Sequence, residues 1–194
     1  MNLVDRVKRI LLSPQQEWEV IDGEATTPSA LYTGYIMPLA AIGPIATVIG
    51  FAIFGISVPL AGTVYRVPIG SAIMSAVVTY VLTLVGVYVL SLIIDYLAPT
   101  FGGTKSPIQA LKVATYSSTA AWVAGIFAIM PGLRMLSILG LYSVYLLYLG
   151  LPVMMKATKD RAVAYTVLVV LVEFVLMMVI GLLGSQFTGM RPMM

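Results

Sequence analysis

Apolar residues recur along this chain in runs longer and less interrupted than the one-sided stripe of a soluble helix. Residues 31–56, 70–94, 107–130, 133–154 and 162–184 are such runs. Each holds at least about 20 residues, which at roughly 1.5 Å rise per residue crosses a hydrocarbon core of about 30 Å. The pattern predicts an all-α membrane protein with five transmembrane helices in one domain, residues 31–184. Residues 1–30 are expected to form cytoplasmic amphipathic or interfacial helices, and residues 185–194 a short tail.

Polar residues and prolines punctuate these runs. Leu3, Val7, Ile10 and Leu11 fall on one face of a short helix, with Arg6, Lys8 and Arg9 elsewhere on its surface. Such a helix suits the lipid headgroup layer, or equally packing on the protein's own cytoplasmic loops. Ser13-Pro14 with Gln16 has the form of a capping box and predicts a second helix, ending at Gly23. Its Trp18 is expected as an interfacial anchor, and Glu17, Glu19, Asp22 and Glu24 as a solvated face. Pro38 and Pro44 predict a kink or break in the first span. Ser57–Pro68 reads as a turn-rich connection carrying Arg66. Ser106-Pro107 with Gln109 repeats the capping-box pattern, Pro131-Gly132 separates the third and fourth spans, and Pro152 closes the fourth. Ser71, Ser75, Thr79 and Thr83 in the second span, and Ala114, Ser118, Ala121 and Gly125 in the third, form narrow faces of small residues. Such faces are expected as helix-packing seams rather than a pore lining.

Composition excludes most soluble alternatives. With 60% apolar and 10% charged residues and a mean hydropathy of +1.00, the chain's main solvent must be lipid. Cysteine and histidine are absent, which removes disulfides, thiol chemistry and histidine-based metal sites or catalysis. No glycine-rich phosphate loop, metal-binding carboxylate cluster or serine with a base is present. The reading is therefore non-enzymatic, with no cofactor, no metal and no nucleic-acid partner. The apolar stretch after Arg9 is too short for a signal peptide, so the mature protein is expected to begin at or near Met1. With the N-terminus inside, Arg6, Lys8, Arg9, Lys105, Lys112, Lys156, Lys159 and Arg161 lie on the cytoplasmic side, and only Arg66, Arg134 and Arg191 lie opposite. This asymmetry predicts a cytoplasmic N-terminus and a non-cytoplasmic C-terminus in the plasma (prokaryotic inner) membrane.

The candidate chemistry is confined to a few polar residues. Glu173 lies near the middle of the fifth run, with Val169, Val170, Leu176 and Met177 as its helical neighbours. It needs a partner from another helix, and Tyr116, Ser117, Ser118, Thr119, Tyr142 and Tyr145 are the candidates. Glu173 is then either a proton or cation site, or a neutral carboxylic acid that fixes helix packing. Asp95 and Lys112 are expected to close the second and third spans with a salt bridge, ahead of a substrate-binding role. Arg6, Lys8, Arg9, Lys105, Lys112 and the loop from Lys156 through Lys159 to Arg161 can contact anionic headgroups.

The order of LLSPQQEWEVI, IDYLAPTFGG, KSPIQALKVATYSSTAAWVAGIF and LGLYSVYLLYLGLPVMMK resembles the prokaryotic branch of the Yip family, named for Ypt/Rab-interacting proteins. The resemblance covers almost the whole chain. It implies five spans, a cytoplasmic N-terminus and a C-terminus across the membrane. It also directs attention to Asp95, Pro99, Gly102, Gly103, Tyr116 and Tyr142. Eukaryotic members act in vesicle traffic and bind prenylated Rab-type GTPases. This chain lacks their long polar N-terminal region, and a Rab-type partner is not expected. The expected function is a membrane scaffold or adaptor that binds lipids, other membrane proteins or further copies of itself. The alternative is a small oligomeric ion- or proton-linked transporter or channel using Glu173; the absence of inverted repeats weighs against it.

Overall fold

The computed structural model describes residues 2–58, 63–65 and 67–187. Its helices are α1 (Leu3–Leu12), α2 (Pro14–Gly23), α3 (Pro28–Leu31), α4 (Met37–Ala40), α5 (Ile42–Phe54), α6 (Ile69–Leu97), α7 (Pro107–Ser117), α8 (Thr119–Ala124), α9 (Tyr142–Met155) and α10 (Lys159–Ser185). The expected connection after the first span contains a hairpin of two three-residue strands, with Ile56 opposite Tyr65 and Val58 opposite Thr63. Arg66 and Arg191 lie outside the described residues.

Pro38 and Pro44 break the first span as expected, and each break has a local cause. Before Pro38 the helix widens into a π turn over Tyr32–Ile36, closed by the Met37 N–H on the Tyr32 carbonyl. The wide turn accommodates a ring that an α-turn would press against the carbonyl four residues back. The chain then pauses at Ala41, so Pro44 falls in the first turn of α5, where its missing N–H has no partner to lose. Neither expected capping box forms, since the Ser13 and Ser106 side chains make no cap. Gln109 is drawn instead to Asp22, and the Asp95 carboxylate accepts the Ser106 N–H at 2.6 Å.

Among the described residues, four helices are long and apolar enough to cross a membrane: Pro28–Phe54, Ile69–Phe101, Pro131–Met155 and Asp160–Ser185. The third predicted crossing, 107–130, is not among these four: it is helical but interrupted at Ser118 and tightened to a 3-10 helix over Gly125–Ile129. Its hydroxyls explain the break. Ser117 Oγ donates to the Val113 carbonyl, Ser118 Oγ to Ala114 and Thr119 Oγ1 to Tyr116. Such back-bonding competes with the helical ladder and bends it. Residues 110–120 are buried throughout, so this segment is the polar centre around which the apolar helices stand. Pro152 does not close the fourth span; it lies inside α9, which runs on to Met155.

The small-residue faces are packing seams in part, at Ser75 and Gly125, while Thr79, Thr83, Ser118 and Ala121 line a cleft. Ser75 Oγ donates to the Gly184 carbonyl at 2.9 Å, joining α6 to α10. A Cβ on Gly125 would stand 2.9 Å from the Gly43 Cα, so α5 meets the third segment backbone to backbone. Gly125→Ala is therefore expected to cost about 1–3 kcal/mol by overpacking, read as a lower thermal midpoint in detergent. An unchanged midpoint would mean that the two backbones separate freely. Gly102 turns the chain after the 3-10 helix Ala98–Phe101, at a φ of 74° that favours glycine. The Thr104 N–H then donates to the Met155 carbonyl, laying this loop on the end of α9.

Candidate functional site

The polar residues of the N-terminal third gather where α1 and α2 dock on the third segment. Asn2 caps α1 by accepting the Asp5 N–H at 2.8 Å. Leu3, Val7, Ile10 and Leu11 face the protein core, with Ile10 fully buried. This apolar face therefore packs on the protein itself. Arg6 belongs to the same face, three residues after Leu3 and four before Ile10. It is buried and pairs with Glu17 at 2.5 Å and with Glu24, so it is not an exposed lipid contact. Glu17, correspondingly, is not on a solvated face. Burial alone would lower the Arg6 pKa; the hydrogen bond to Glu24, with smaller contributions from Tyr116 and Glu17, holds it above the ordinary value.

Trp18 is fully buried rather than an interfacial anchor. Its ring lies over Gly150 of α9, where an added Cβ would come within 2.6 Å of it. It also meets Tyr116 edge-on, with centroids 6.3 Å apart, and Tyr116 in turn meets Tyr35 at 4.7 Å. The Arg6 guanidinium stands over the Tyr116 ring.

Lys112 does not pair with Asp95. Its ammonium donates to the carbonyls of Ile21 at 2.8 Å and Glu24 at 2.6 Å. These belong to the C-terminal end of α2, where unpaired carbonyls and the helix dipole favour a cation. Gln109 donates to the Asp22 carboxylate at 2.9 Å, and Lys156 donates to the same carboxylate at 2.5 Å. The Tyr142 hydroxyl donates to the Leu11 carbonyl at 3.1 Å. The membrane domain thus holds both ends of α2 with polar contacts, the N-terminal end through Leu11 just ahead of it.

A second feature lies inside the membrane region. Glu173 is 13 residues past Asp160 and 12 before Ser185, the limits of the last candidate span. It lines a cleft of about 340 Å³ between α6, α8 and α10, whose other polar residues are Thr79, Thr83, Ser118 and Trp122. Of the partners expected from sequence, only Ser118 shares this cleft. Ser117 bonds within its own helix, and Tyr116 and Tyr142 serve the N-terminal dock. Among the described residues no hydrogen bond or ion pair reaches the Glu173 carboxyl.

The remaining basic residues stand apart. Lys8 and Arg9 are exposed on α1, Lys105 lies over the Tyr96 ring, and Arg161 donates to the Thr100 carbonyl. The Lys159 side chain lies outside the described residues. The functions of Arg6 and Glu17 were the readings that sequence missed. The available signal was a charge at helical spacing on each apolar face.

The family described as the Yip1 domain matches residues 8–181. The chain is similar to the inner membrane protein YohC of Escherichia coli strain K12, with 28% identity over 157 residues, covering 79% of this chain and 80% of that protein. The YohC protein of Escherichia coli O6:H1 matches to the same extent. No solved structure matches.

Proposed function

The chain belongs to the Yip1 domain family, and from that premise we propose that it is a non-enzymatic adaptor of the inner membrane that receives another transmembrane helix. The observation that carries this reading is the Glu173 cleft. A carboxyl group at the middle of a span needs a hydrogen bond or water, and Glu173 faces a lateral cleft rather than a partner within the fold. Small and hydroxyl residues around it, Thr79, Thr83, Ser118 and Gly181, allow close approach of a helix from a membrane protein or a second copy.

Five crossings fit this reading, with the third, 107–130, buried along residues 110–120. A cytoplasmic N-terminus and a C-terminus across the membrane belong to the same proposal, and the distribution of basic residues supports them. A Rab-type GTPase is not among the partners proposed.

The test places a photo-crosslinking residue at Met177, which lines the cleft, in cells. A cross-link to a defined transmembrane polypeptide is expected to persist in Glu173→Gln. In Glu173→Leu it should fall by roughly five- to thirtyfold, the weight of an interhelical hydrogen bond of about 1–2 kcal/mol. In parallel, proton and cation flux into liposomes is expected to be the same for wild type and Glu173→Gln. Flux that requires Glu173 would overturn the adaptor reading in favour of a small transporter or channel.

A further inference from the structure

A second cavity, of about 330 Å³, opens between α1, the start of the first span and α7, at the level of the first turns of that span. It is separate from the Glu173 cleft and stands or falls without it. Its walls are polar. The Lys112 side chain is only 3% exposed, and its ammonium has two carbonyl partners for three N–H bonds. Tyr116 is 7% exposed, yet its hydroxyl makes no hydrogen bond among the described residues. Asn2 and Leu3 bring the N-terminal end of α1 to the rim, where the Asn2 side chain takes the Asp5 N–H and the amides of Leu3 and Val4 are left without a helical acceptor. Three kinds of donor therefore converge on one space.

The charge balance decides what kind of group suits it. Arg6 and Lys112 contribute two positive charges, and Glu17 and Glu24 cancel them. A bare anion would thus bring uncompensated negative charge beside Glu24, which itself lines the cavity. A group carrying both signs would not. Two of the carboxylate positions on Glu24 are taken by Arg6, and the remaining lone pairs can accept from an ammonium. The floor is apolar, formed by Ala30 and Leu31, and nothing lies within 4 Å of a Cβ built on Gly34.

We propose that this cavity binds the headgroup of a zwitterionic phospholipid with a primary ammonium. The phosphate rests against Lys112, the Tyr116 hydroxyl and the α1 amides, and the ammonium rests against Glu24. The acyl chains leave over Gly34 along the first span. A quaternary ammonium has no N–H to give Glu24, and a glycerol headgroup has no positive charge. The site therefore discriminates among common headgroups by chemistry rather than by size.

The full-length protein, delipidated in detergent, is tested by native mass spectrometry with equal amounts of phosphatidylethanolamine, phosphatidylcholine and phosphatidylglycerol. The expected result is retention of phosphatidylethanolamine by roughly tenfold over each of the others, the weight of one charge-assisted hydrogen bond. Tyr116→Phe preserves the ring packing and is expected to lower that retention by a similar factor. Gly34→Phe fills open space and should abolish it while leaving the thermal midpoint in place. Equal retention of the three lipids, a preference for phosphatidylglycerol, or retention unchanged in both variants would overturn the proposal. So would soluble phosphoethanolamine displacing the lipid at comparable concentration, since the ligand would then be a free phosphoamine.

Discussion

Trp18→Ala is expected to release the N-terminal helix pair from the membrane domain at a cost of about 3–5 kcal/mol, the usual loss for a buried tryptophan. The ring is fully buried and fills the space that Gly150 leaves open on α9. The indole N–H makes no hydrogen bond among the described residues, so the stabilisation comes from volume rather than polarity. Trp18→Phe should therefore retain most of it. Gly150→Leu should reproduce the alanine phenotype from the opposite side by expelling the ring. Limited trypsin cleavage at Lys8 and Arg9 reads the release directly, with the thermal midpoint in detergent alongside it. Resistance equal to wild type in both Trp18→Ala and Gly150→Leu would show that polar contacts alone hold the pair.

Arg6→Ala has an effect of similar size for an electrostatic reason. Both side chains of the Arg6–Glu17 pair are nearly inaccessible, at 7% and 4%. Removing the guanidinium leaves Glu17 charged and unpaired in the core, a loss of about 3–5 kcal/mol. Replacing both groups with apolar residues of similar size is different. Arg6→Met combined with Glu17→Leu removes the desolvation cost along with the attraction, and is expected to recover most of the stability. A double-mutant cycle on the thermal midpoint measures the coupling. Additive losses in the double variant would mean that the two residues act separately.

The spans were readable because their signal is local. Uninterrupted apolar length identifies a bilayer helix whatever it packs against, and Pro38 and Pro44 announce their own disturbance. The isolation of Glu173 was equally legible, since its helical neighbours are aliphatic. The dock was not, because its partners are distant in the chain. The stripe of Leu3, Val7 and Ile10 is the same stripe whether lipid or protein covers it. The sequence offers Lys112 a partner in Asp95, near the same end of the adjacent helix. Its actual acceptors, the carbonyls ending α2, belong to no side chain and leave no mark in composition. The third segment misled for a related reason. On sequence its hydroxyls are natural partners for Glu173, whereas Ser117, Ser118 and Thr119 donate to their own backbone and interrupt the helix.

The dock also imposes an order on biosynthesis. Tyr142 holds Leu11 across 131 residues, and Lys156 holds Asp22 across 134. At roughly 5–20 residues per second, the first helices wait on the order of ten seconds for their receiving surface to be made. In that interval Arg6, Glu17 and Glu24 can already pair, since all three lie within one short stretch of chain. The helix pair is thus able to form as a unit beside the ribosome and dock only after the fourth span is in place. The helix pair, although made before the spans that receive it, is among the last elements to reach its final position.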